Sequence, residues 1–174
     1  MDYGIYIDIK RCTGCQACVG ACMDQNDLAV ENQEPSWRHV FSVEEGIYPE
    51  ARVMYVSLAC MHCQDAPCSI ACPTGAIGKK ETGTVSVNPA LCIGCRICLT
   101  ACPFGVPRFN NEGKMQKCTL CSERVAEGLE PACVRICPTG ALKFGSVNEL
   151  GMQVGIKTAV KLVRSVLQTD SCGS

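Results

Sequence analysis

One short stretch constrains the fold more than any other, because it combines four cysteines at fixed spacing with a proline. The stretch is Cys92-Ile-Gly-Cys95-Arg-Ile-Cys98-Leu-Thr-Ala-Cys102-Pro103, which has the form C-x2-C-x2-C-x3-C-P. Three thiolates spaced in this way on a tight turn can bind three irons of one cubane cluster, whereas the fourth usually serves a second cluster. The run therefore predicts a partner run, and a chain with several runs predicts a row of [4Fe-4S] clusters.

Three further cysteine groups are variants of this run. The first has Met23 in place of the proline, the second has two extra residues before its third cysteine, and the fourth is interrupted by residues 122–132. The four groups contain the sixteen cysteines Cys12, Cys15, Cys18, Cys22, Cys60, Cys63, Cys68, Cys72, Cys92, Cys95, Cys98, Cys102, Cys118, Cys121, Cys133 and Cys137. Of the 17 cysteines only Cys172 is left over, and we expect it to be an unstructured bystander in a Ser/Gly-rich end. The count predicts sixteen iron ligands and four [4Fe-4S] clusters.

Two other uses of these cysteines fit the spacing poorly. Zinc takes four ligands, commonly as two C-x2-C pairs, so a third thiolate two residues further on adds nothing to the site. Disulfides require an oxidising compartment and give no reason for the repeated pattern. The chain opens without the basic and apolar segments of a signal peptide, so we expect a reducing, cytoplasmic location.

The composition favours metal cross-links over a large apolar core. Hydrophobic residues make up 47% of the chain, but this set includes the 17 cysteines. Because each cube would cross-link the chain, we expect folding to be coupled to metal insertion and the apo chain not to fold. The net charge of −1 gives no reason to expect nucleic acid as a partner. We expect no direct membrane span, because no apolar run is long enough.

The segments between the cysteine groups predict several short strands. Alternation of Ile5, Ile7 and Ile9 with polar residues predicts a strand before the first group. Three further strands are predicted at residues 37–43, 52–58 and 83–88. The first two of these form a β-hairpin around a turn region at residues 44–50.

An internal repeat predicts a duplicated architecture. Two nearly identical segments each follow the last cysteine of a group, namely Pro73-Thr-Gly-Ala-Ile77 and Pro138-Thr-Gly-Ala-Leu142. Repetition of a ligand group with its exit sequence indicates duplication of a two-cluster unit. We therefore predict an α+β, duplicated bacterial-ferredoxin-like fold with two lobes, each holding two [4Fe-4S] clusters, a β-hairpin insertion and a C-terminal helix.

The predicted boundaries divide the chain into a four-cluster domain and a terminal helix. The domain covers residues 1–145, with one lobe from 1–23 and 103–145, the other from 52–102, and the hairpin insertion at 24–59. Residues 146–174 are predicted to form an amphipathic helix and a flexible tail. Ser146 and Glu149 have capping-box spacing, and Ile156, Val160, Val163 and Leu167 recur at helical spacing among Lys157, Lys161 and Arg164. We expect this helix to pack on its own domain; docking against a larger subunit is the main alternative, and contact with a membrane surface is a lesser one.

A few residues other than cysteine bear on the clusters. His39 and His62 are interpreted as packing or surface residues because the cysteine count is already complete, and Trp37 fits either a core or an interface. Four cations lie beside expected ligands, namely Arg96, Arg108, Lys117 and Arg135. Each is better explained as a solvated surface charge than as a group that favours the reduced state of a cluster.

These motifs together resemble a known family. The opening Cys12-Thr-Gly-Cys15-Gln-Ala-Cys18, the wider spacing from Cys63 to Cys68, and the stretched fourth group are similar to the four-cluster electron-transfer subunits of molybdenum or tungsten bis-pterin oxidoreductases. Among these subunits, the pattern resembles that of the iron–sulfur subunit of dimethyl sulfoxide reductase. Subunits of formate dehydrogenases, polysulfide, thiosulfate and tetrathionate reductases and a tungsten aldehyde oxidoreductase are similar. The resemblance covers about residues 3–145, and no ligand is missing, so it implies four four-iron cubes.

The resemblance implies nested pairing of the first group with the fourth and of the second with the third. We name the four implied ligand sets by their first cysteines. They are the Cys12 set (Cys12, Cys15, Cys18, Cys137), the Cys22 set (Cys22, Cys118, Cys121, Cys133), the Cys60 set (Cys60, Cys63, Cys68, Cys102) and the Cys72 set (Cys72, Cys92, Cys95, Cys98). Spacing alone also permits sequential pairing, although the second and third groups together resemble a complete two-cluster ferredoxin.

The function implied by the resemblance is electron transfer without catalysis by this chain. Its partners would be a large molybdenum- or tungsten-pterin catalytic subunit and a further, flavin- or quinone-linked redox subunit. The alternative is a free-standing polyferredoxin that shuttles electrons between soluble enzymes such as hydrogenase or carbon monoxide dehydrogenase.

Overall fold

The computed structural model describes residues 3–28 and 34–169, and the strands in those ranges form four separate two-stranded antiparallel sheets. The strands are β1 (Tyr3–Ile7), β2 (His39–Glu45), β3 (Arg52–Leu58), β4 (Ile77–Lys79), β5 (Val85–Val87), β6 (Arg108–Phe109), β7 (Met115–Gln116) and β8 (Leu142–Ser146). The helices are α1 (Ala17–Gln25), α2 (Pro67–Ile70), α3 (Ile97–Ala101), α4 (Ser122–Ala126), α5 (Ala132–Arg135) and α6 (Val147–Thr169). This mixture of short strands and helices agrees with the predicted α+β class.

The sheet β1–β8 joins the start of the chain to the end of the fourth cysteine group. Ile5 pairs with Phe144 and Ile7 with Leu142, so the apolar side of β1 lies on the buried cluster that contains Cys18 and Cys133. Helices α1 and α5 also pack together. The first and fourth cysteine groups are therefore adjacent in space although they are far apart in sequence.

A second apolar cluster joins the middle two cysteine groups. Its buried residues are Ala66, Cys68, Ile77, Val85, Cys98 and Met115. Helix α2 packs against α3, and β4 pairs with β5 in the segment between the two groups. Strand β5 lies within the expected strand at residues 83–88, so that prediction is confirmed. The strands β4, β6 and β7, which have two or three residues each, were not predicted.

The first strand and the hairpin are present with altered limits. Strand β1 ends at Ile7, and the alternation that included Ile9 was wrong because residues Ile9–Arg11 turn into a short 3-10 helix before Cys12. The hairpin β2–β3 is confirmed, but β2 begins at His39 and not at residue 37. Trp37 leaves the ladder because its indole Nε1–H donates to Gln116 Oε1 at 3.0 Å.

Helix α6 begins with the expected capping box. Ser146 N donates to Glu149 Oε2 and Glu149 N donates to Ser146 Oγ, both at 3.3 Å. Leu150 is buried and Lys157 Nζ forms an ion pair with Asp8 Oδ2 at 2.9 Å, so the first half of the helix contacts the domain.

The expected packing of the rest of α6 was wrong. The side chains that should have met the domain, Ile156, Val160 and Val163, are 60%, 45% and 58% exposed. The physical reason is that the β1–β8 sheet is only two strands wide, so it covers only the first half of the helix. The side chain of Leu167 and the expected bystander Cys172 lie outside the described residues. Among the helices that the structure describes, none has both the length and the apolar character to cross a bilayer.

Candidate iron–sulfur cluster sites

The cysteine turns share a left-handed backbone conformation. In the first and third groups, Gly14 and Gly94 both have φ +72°, and Gln16 and Arg96, which follow the second cysteine, have φ +60° and +64°. The second and fourth groups place His62 at φ +47° and Leu120 at φ +58°. Turns of this kind direct successive backbone N–H groups into a concave anion site.

Backbone N–H groups donate to several cysteine sulfurs. Leu120 N donates to Cys118 Sγ at 3.3 Å, His62 N to Cys60 Sγ at 3.5 Å, and Met115 N to Cys92 Sγ at 3.4 Å. Hydrogen bonds to sulfur stabilise the charged thiolate and are among the factors that set cluster potentials. The turns therefore supply both the ligands and donors for them.

The sequence repeat has a structural counterpart at Cys72 and Cys137. The hydroxyl of Thr74 lies 3.6 Å from Cys72 Sγ, and that of Thr139 lies 3.7 Å from Cys137 Sγ. Burial acts to raise the pKa of both thiols, but the threonine hydroxyls and the following backbone amides outweigh it and lower the pKa of each. At both places, the repeated Pro-Thr-Gly-Ala segment therefore surrounds a cysteine sulfur with hydrogen-bond donors.

The structure brings all members of the Cys22 set around one cavity. It is lined by the four sulfur-bearing residues Cys22, Cys118, Cys121 and Cys133. Burial raises the pKa of the Cys22 thiol to about 12 and that of Cys118 to about 11. Because a metal binds the thiolate form, ligation at these cysteines must release protons.

The Cys72 set lines a second cavity. Its lining includes Cys72, Cys92, Cys95 and Cys98. Burial raises the pKa of the Cys98 thiol to about 11. Cys95 is exposed, so this cavity reaches the surface at one ligand.

In each of the other two sets, the structure brings several members together around one buried cysteine. In the Cys12 set, Cys18 interacts electrostatically with Cys12 and packs in the same apolar cluster as Cys137, while Cys15 is exposed. In the Cys60 set, buried Cys68 interacts electrostatically with Cys60 and Cys102, and Cys63 packs against the cluster that contains Cys68.

Cysteines of one set lie near cysteines of another. Cys18 of the Cys12 set is an electrostatic neighbour of Cys133 in the Cys22 set. Cys118 of the Cys22 set is a neighbour of Cys60, and Cys68 of the Cys60 set is a neighbour of Cys98 in the Cys72 set. These neighbours favour the order Cys12 set, Cys22 set, Cys60 set and Cys72 set.

Within residues 3–28 and 34–169, no three His, Cys, Asp or Glu side chains are arranged to hold one metal ion. In a four-iron cube each thiolate binds a different iron, so the ligands need not converge on one point.

His62 adds a donor suited to an inorganic sulfide. Its Nδ1 accepts a hydrogen bond from Val85 N at 3.1 Å, which assigns the proton to Nε2. This Nε2 is buried and has no hydrogen-bond partner in the described part of the chain. Burial lowers the pKa of His62 to about 3, so the ring is neutral. An inorganic sulfide beside Cys60 and Cys63 would accept a hydrogen bond from this Nε2. The cysteine spacing alone did not indicate this donor.

The cations beside the ligands differ in burial. Arg96 and Arg135 are exposed, as expected, and the Arg96 guanidinium lies over the Phe109 ring at 5.4 Å. Arg108 is half-buried and donates to His39 Nε2 at 2.8 Å. Lys117 was expected at the surface but is only 4% exposed, and its Nζ donates to the carbonyl oxygens of Val85 and Cys118.

Sequence reasoning missed one further buried cation, Arg38. Its side chain is 2% exposed and lines the cavity of the Cys22 set. No periodic or motif signal marks it, because it lies in the irregular segment before β2.

Comparison with known proteins defines the class to which these sites belong. A family model described as a 4Fe-4S dicluster domain matches residues 51–147, and a 4Fe-4S binding domain matches residues 9–24. The chain therefore belongs to the 4Fe-4S dicluster family of ferredoxin-type iron–sulfur proteins. The resemblance predicted from the cysteine pattern is thereby confirmed.

Several named relatives are chains of dimethyl sulfoxide and thiosulfate reductases. The chain is 44% identical over 168 residues to the probable anaerobic dimethyl sulfoxide reductase subunit YnfG of Escherichia coli K12, covering 91% of this chain and 80% of that one. It is 43% identical over 168 residues, with the same coverage, to a subunit of the anaerobic dimethyl sulfoxide reductase of the same strain. It is 42% identical over 154 residues to the thiosulfate reductase electron transfer subunit PhsB of Salmonella typhi, covering 87% of this chain and 80% of that one.

Proposed function

We propose that this chain is a non-catalytic electron-transfer subunit that relays single electrons through four [4Fe-4S] clusters. The observation that carries the proposal is that cysteines of different sets share a buried cluster, Cys18 with Cys133 and Cys68 with Cys98. When bound, the clusters supply reversible one-electron oxidation and reduction. The residues of the chain hold the clusters, donate hydrogen bonds to their sulfurs and exclude water, and they make or break no bond in a substrate.

The ligand assignment that we propose is the nested one, with the sixteen cysteines divided into the four sets defined above. The linings of two cavities support nested pairing rather than sequential pairing. The two cavities are lined by the Cys22 set and the Cys72 set, and each set draws its cysteines from the groups that nested pairing joins. The two apolar clusters support the further proposal of two lobes related by duplication.

The partners that we propose are a large molybdenum- or tungsten-pterin catalytic subunit and a second redox subunit, linked to flavin or quinone. The support for the first is the function named for the relatives, which are subunits of dimethyl sulfoxide and thiosulfate reductases. One partner would exchange electrons at the Cys12 set and the other at the Cys72 set, because these are the two ends of the row. The cytoplasmic location stays a prediction.

Anaerobic purification from native extract tests this function. An affinity tag on the chain should recover a constant larger chain together with molybdenum or tungsten, measured by elemental analysis and mass spectrometry. The free-standing polyferredoxin alternative instead predicts a brown 18.6 kDa species that migrates alone in gel filtration. A colourless preparation without iron would contradict both.

A further inference from the structure

Arg38 is a buried cation that has no carboxylate partner in the described part of the chain. Its side chain is 2% exposed, and Nη1 donates to Ser57 Oγ at 3.0 Å and to Ser57 O at 3.5 Å. The one ion pair within residues 3–28 and 34–169 joins Lys157 to Asp8, so no acidic side chain there neutralises Arg38. Because a guanidinium stays protonated in proteins, its burial is costly unless negative charge lies nearby.

The backbone around Arg38 holds the side chain in this position. Ser36 Oγ donates to Arg38 O at 2.8 Å and accepts from Arg38 N at 3.2 Å. Ser57, which receives the guanidinium, lies on β3 and is itself only 1% exposed. Arg38, which directly precedes β2, and its anchoring hydroxyl on β3 therefore both lie in the interior between the cysteine sets.

The groups that face Arg38 are expected cluster ligands from two sets. The side chain lines the cavity of the Cys22 set, and it interacts electrostatically with Cys22, Cys118 and Cys121. It also interacts with Cys18 of the neighbouring Cys12 set. Ser57 Oγ lies 3.3 Å from Cys18 Sγ, so a hydrogen-bonded bridge runs from the guanidinium through the hydroxyl to this sulfur.

We propose that Arg38 is the shared counter-charge of the two clusters held by the Cys12 and Cys22 sets, and that it raises the reduction potential of both. This inference rests on the proposed function. A cube with four thiolate ligands is a net anion and gains one more negative charge on reduction. A fixed cation in a water-poor interior stabilises the reduced state more than the oxidised state, so it favours reduction.

Exposed cations near the same ligands are not equivalent. Arg135 lies on α5 between Cys133 and Cys137, closer in sequence to the ligands than Arg38, but its side chain is exposed. Solvent and salt screen such a charge. Arg135→Gln is therefore a matched control for Arg38→Gln, because both remove one positive charge and only one removes it from the interior.

The test is a redox titration of the full-length chain, purified anaerobically and followed by electron paramagnetic resonance. Iron is counted first in wild type, Arg38→Gln, Arg38→Lys and Arg135→Gln. With iron content equal to wild type, Arg38→Gln should lower two of the four reduction potentials. We expect at least a tenfold fall in each reduction equilibrium constant, about 59 mV for one electron. Arg38→Lys should restore most of the shift, and Arg135→Gln should leave all four potentials close to wild type.

The other possible results of the titration and of the iron count also support or overturn the role proposed for Arg38. Unchanged potentials in iron-replete Arg38→Gln, or a shift of the same size in Arg135→Gln, would overturn the inference and leave the proposed function intact. If Arg38→Gln loses iron, retention of iron by Arg38→Lys supports the counter-charge, whereas equal loss from both variants indicates a packing role and overturns it. Wild-type protein without iron would overturn the proposed function itself.

Discussion

Gly94 lies at the centre of the cysteine motif that organises the chain, and its substitution by alanine gives a sharp test of the structure. Gly94 has φ +72°, and a Cβ built on it would lie 2.7 Å from the carbonyl oxygen of Gly113. That oxygen belongs to the turn between β6 and β7 and is backbone, so it cannot move away cheaply. The same hairpin supplies Met115 N, the donor to Cys92 Sγ.

The magnitude follows from two separable costs. An alanine in the left-handed region costs about 1–2 kcal/mol. Forcing an extra methyl group into a packed site costs about 1–3 kcal/mol more. Gly94→Ala should therefore destabilise the chain by about 2–5 kcal/mol in total. Gly128→Ala is the matched control, since Gly128 has φ +77° but its Cβ would meet nothing within 4 Å.

The assay is anaerobic thermal unfolding, followed by loss of the visible absorbance of the clusters, with iron release to a chelator as a second measure. For a chain of this size each kcal/mol shifts the apparent melting temperature by about 2–4 °C. Gly94→Ala should melt clearly below Gly128→Ala and release iron faster. Equal melting temperatures for the two variants would refute the close approach of the Gly94 turn to the β6–β7 hairpin.

Three further predictions concern folding and charge. The chain prepared without iron should show no cooperative melt, because the cubes replace apolar packing, and a native-like melt of the apo chain measured by circular dichroism would contradict this. Lys117→Met should lower the reduction potential of a cluster next to Cys68 or Cys118 in a redox titration, whereas the exposed Lys80→Met should not. The hydrogen bond from Lys157 lowers the pKa of Asp8, so the pair contributes stability above the unfolded pKa of Asp8 and loses it as pH falls through the folded pKa. Asp8→Asn should accordingly flatten the acid side of a pH–stability profile, and a profile identical to wild type would contradict the ion pair.

The cysteine spacing carried most of the information that the sequence held about the sites. Thiolate ligands must be placed at fixed intervals on tight turns, so their pattern is local and readable. The capping box of α6 and the hairpin strands were readable for the same reason, because each depends on neighbouring residues. The prediction that the first strand extends to Ile9 was wrong, because the alternation with polar residues continues past the point where the chain turns toward Cys12.

The burial of charge was not readable from the sequence. The chain has 16 lysines and arginines, and neither period nor motif separates Arg38 and Lys117 from the rest. Their burial depends on long-range packing of the hairpin and of β5 against the cysteine turns. The exposure of Ile156 and Val160 on α6 was missed for a similar reason, since helical spacing predicts an apolar face but not the extent of the surface that covers it.

The central claim is that sixteen cysteines hold four cubes in one row, and iron and acid-labile sulfide per chain test it most directly. For wild-type protein isolated anaerobically we expect about sixteen irons and about sixteen sulfides per chain. A value near eight of each, or zinc in place of iron, would show that the four cysteine sets do not each hold a cube, and the proposed relay would be contradicted.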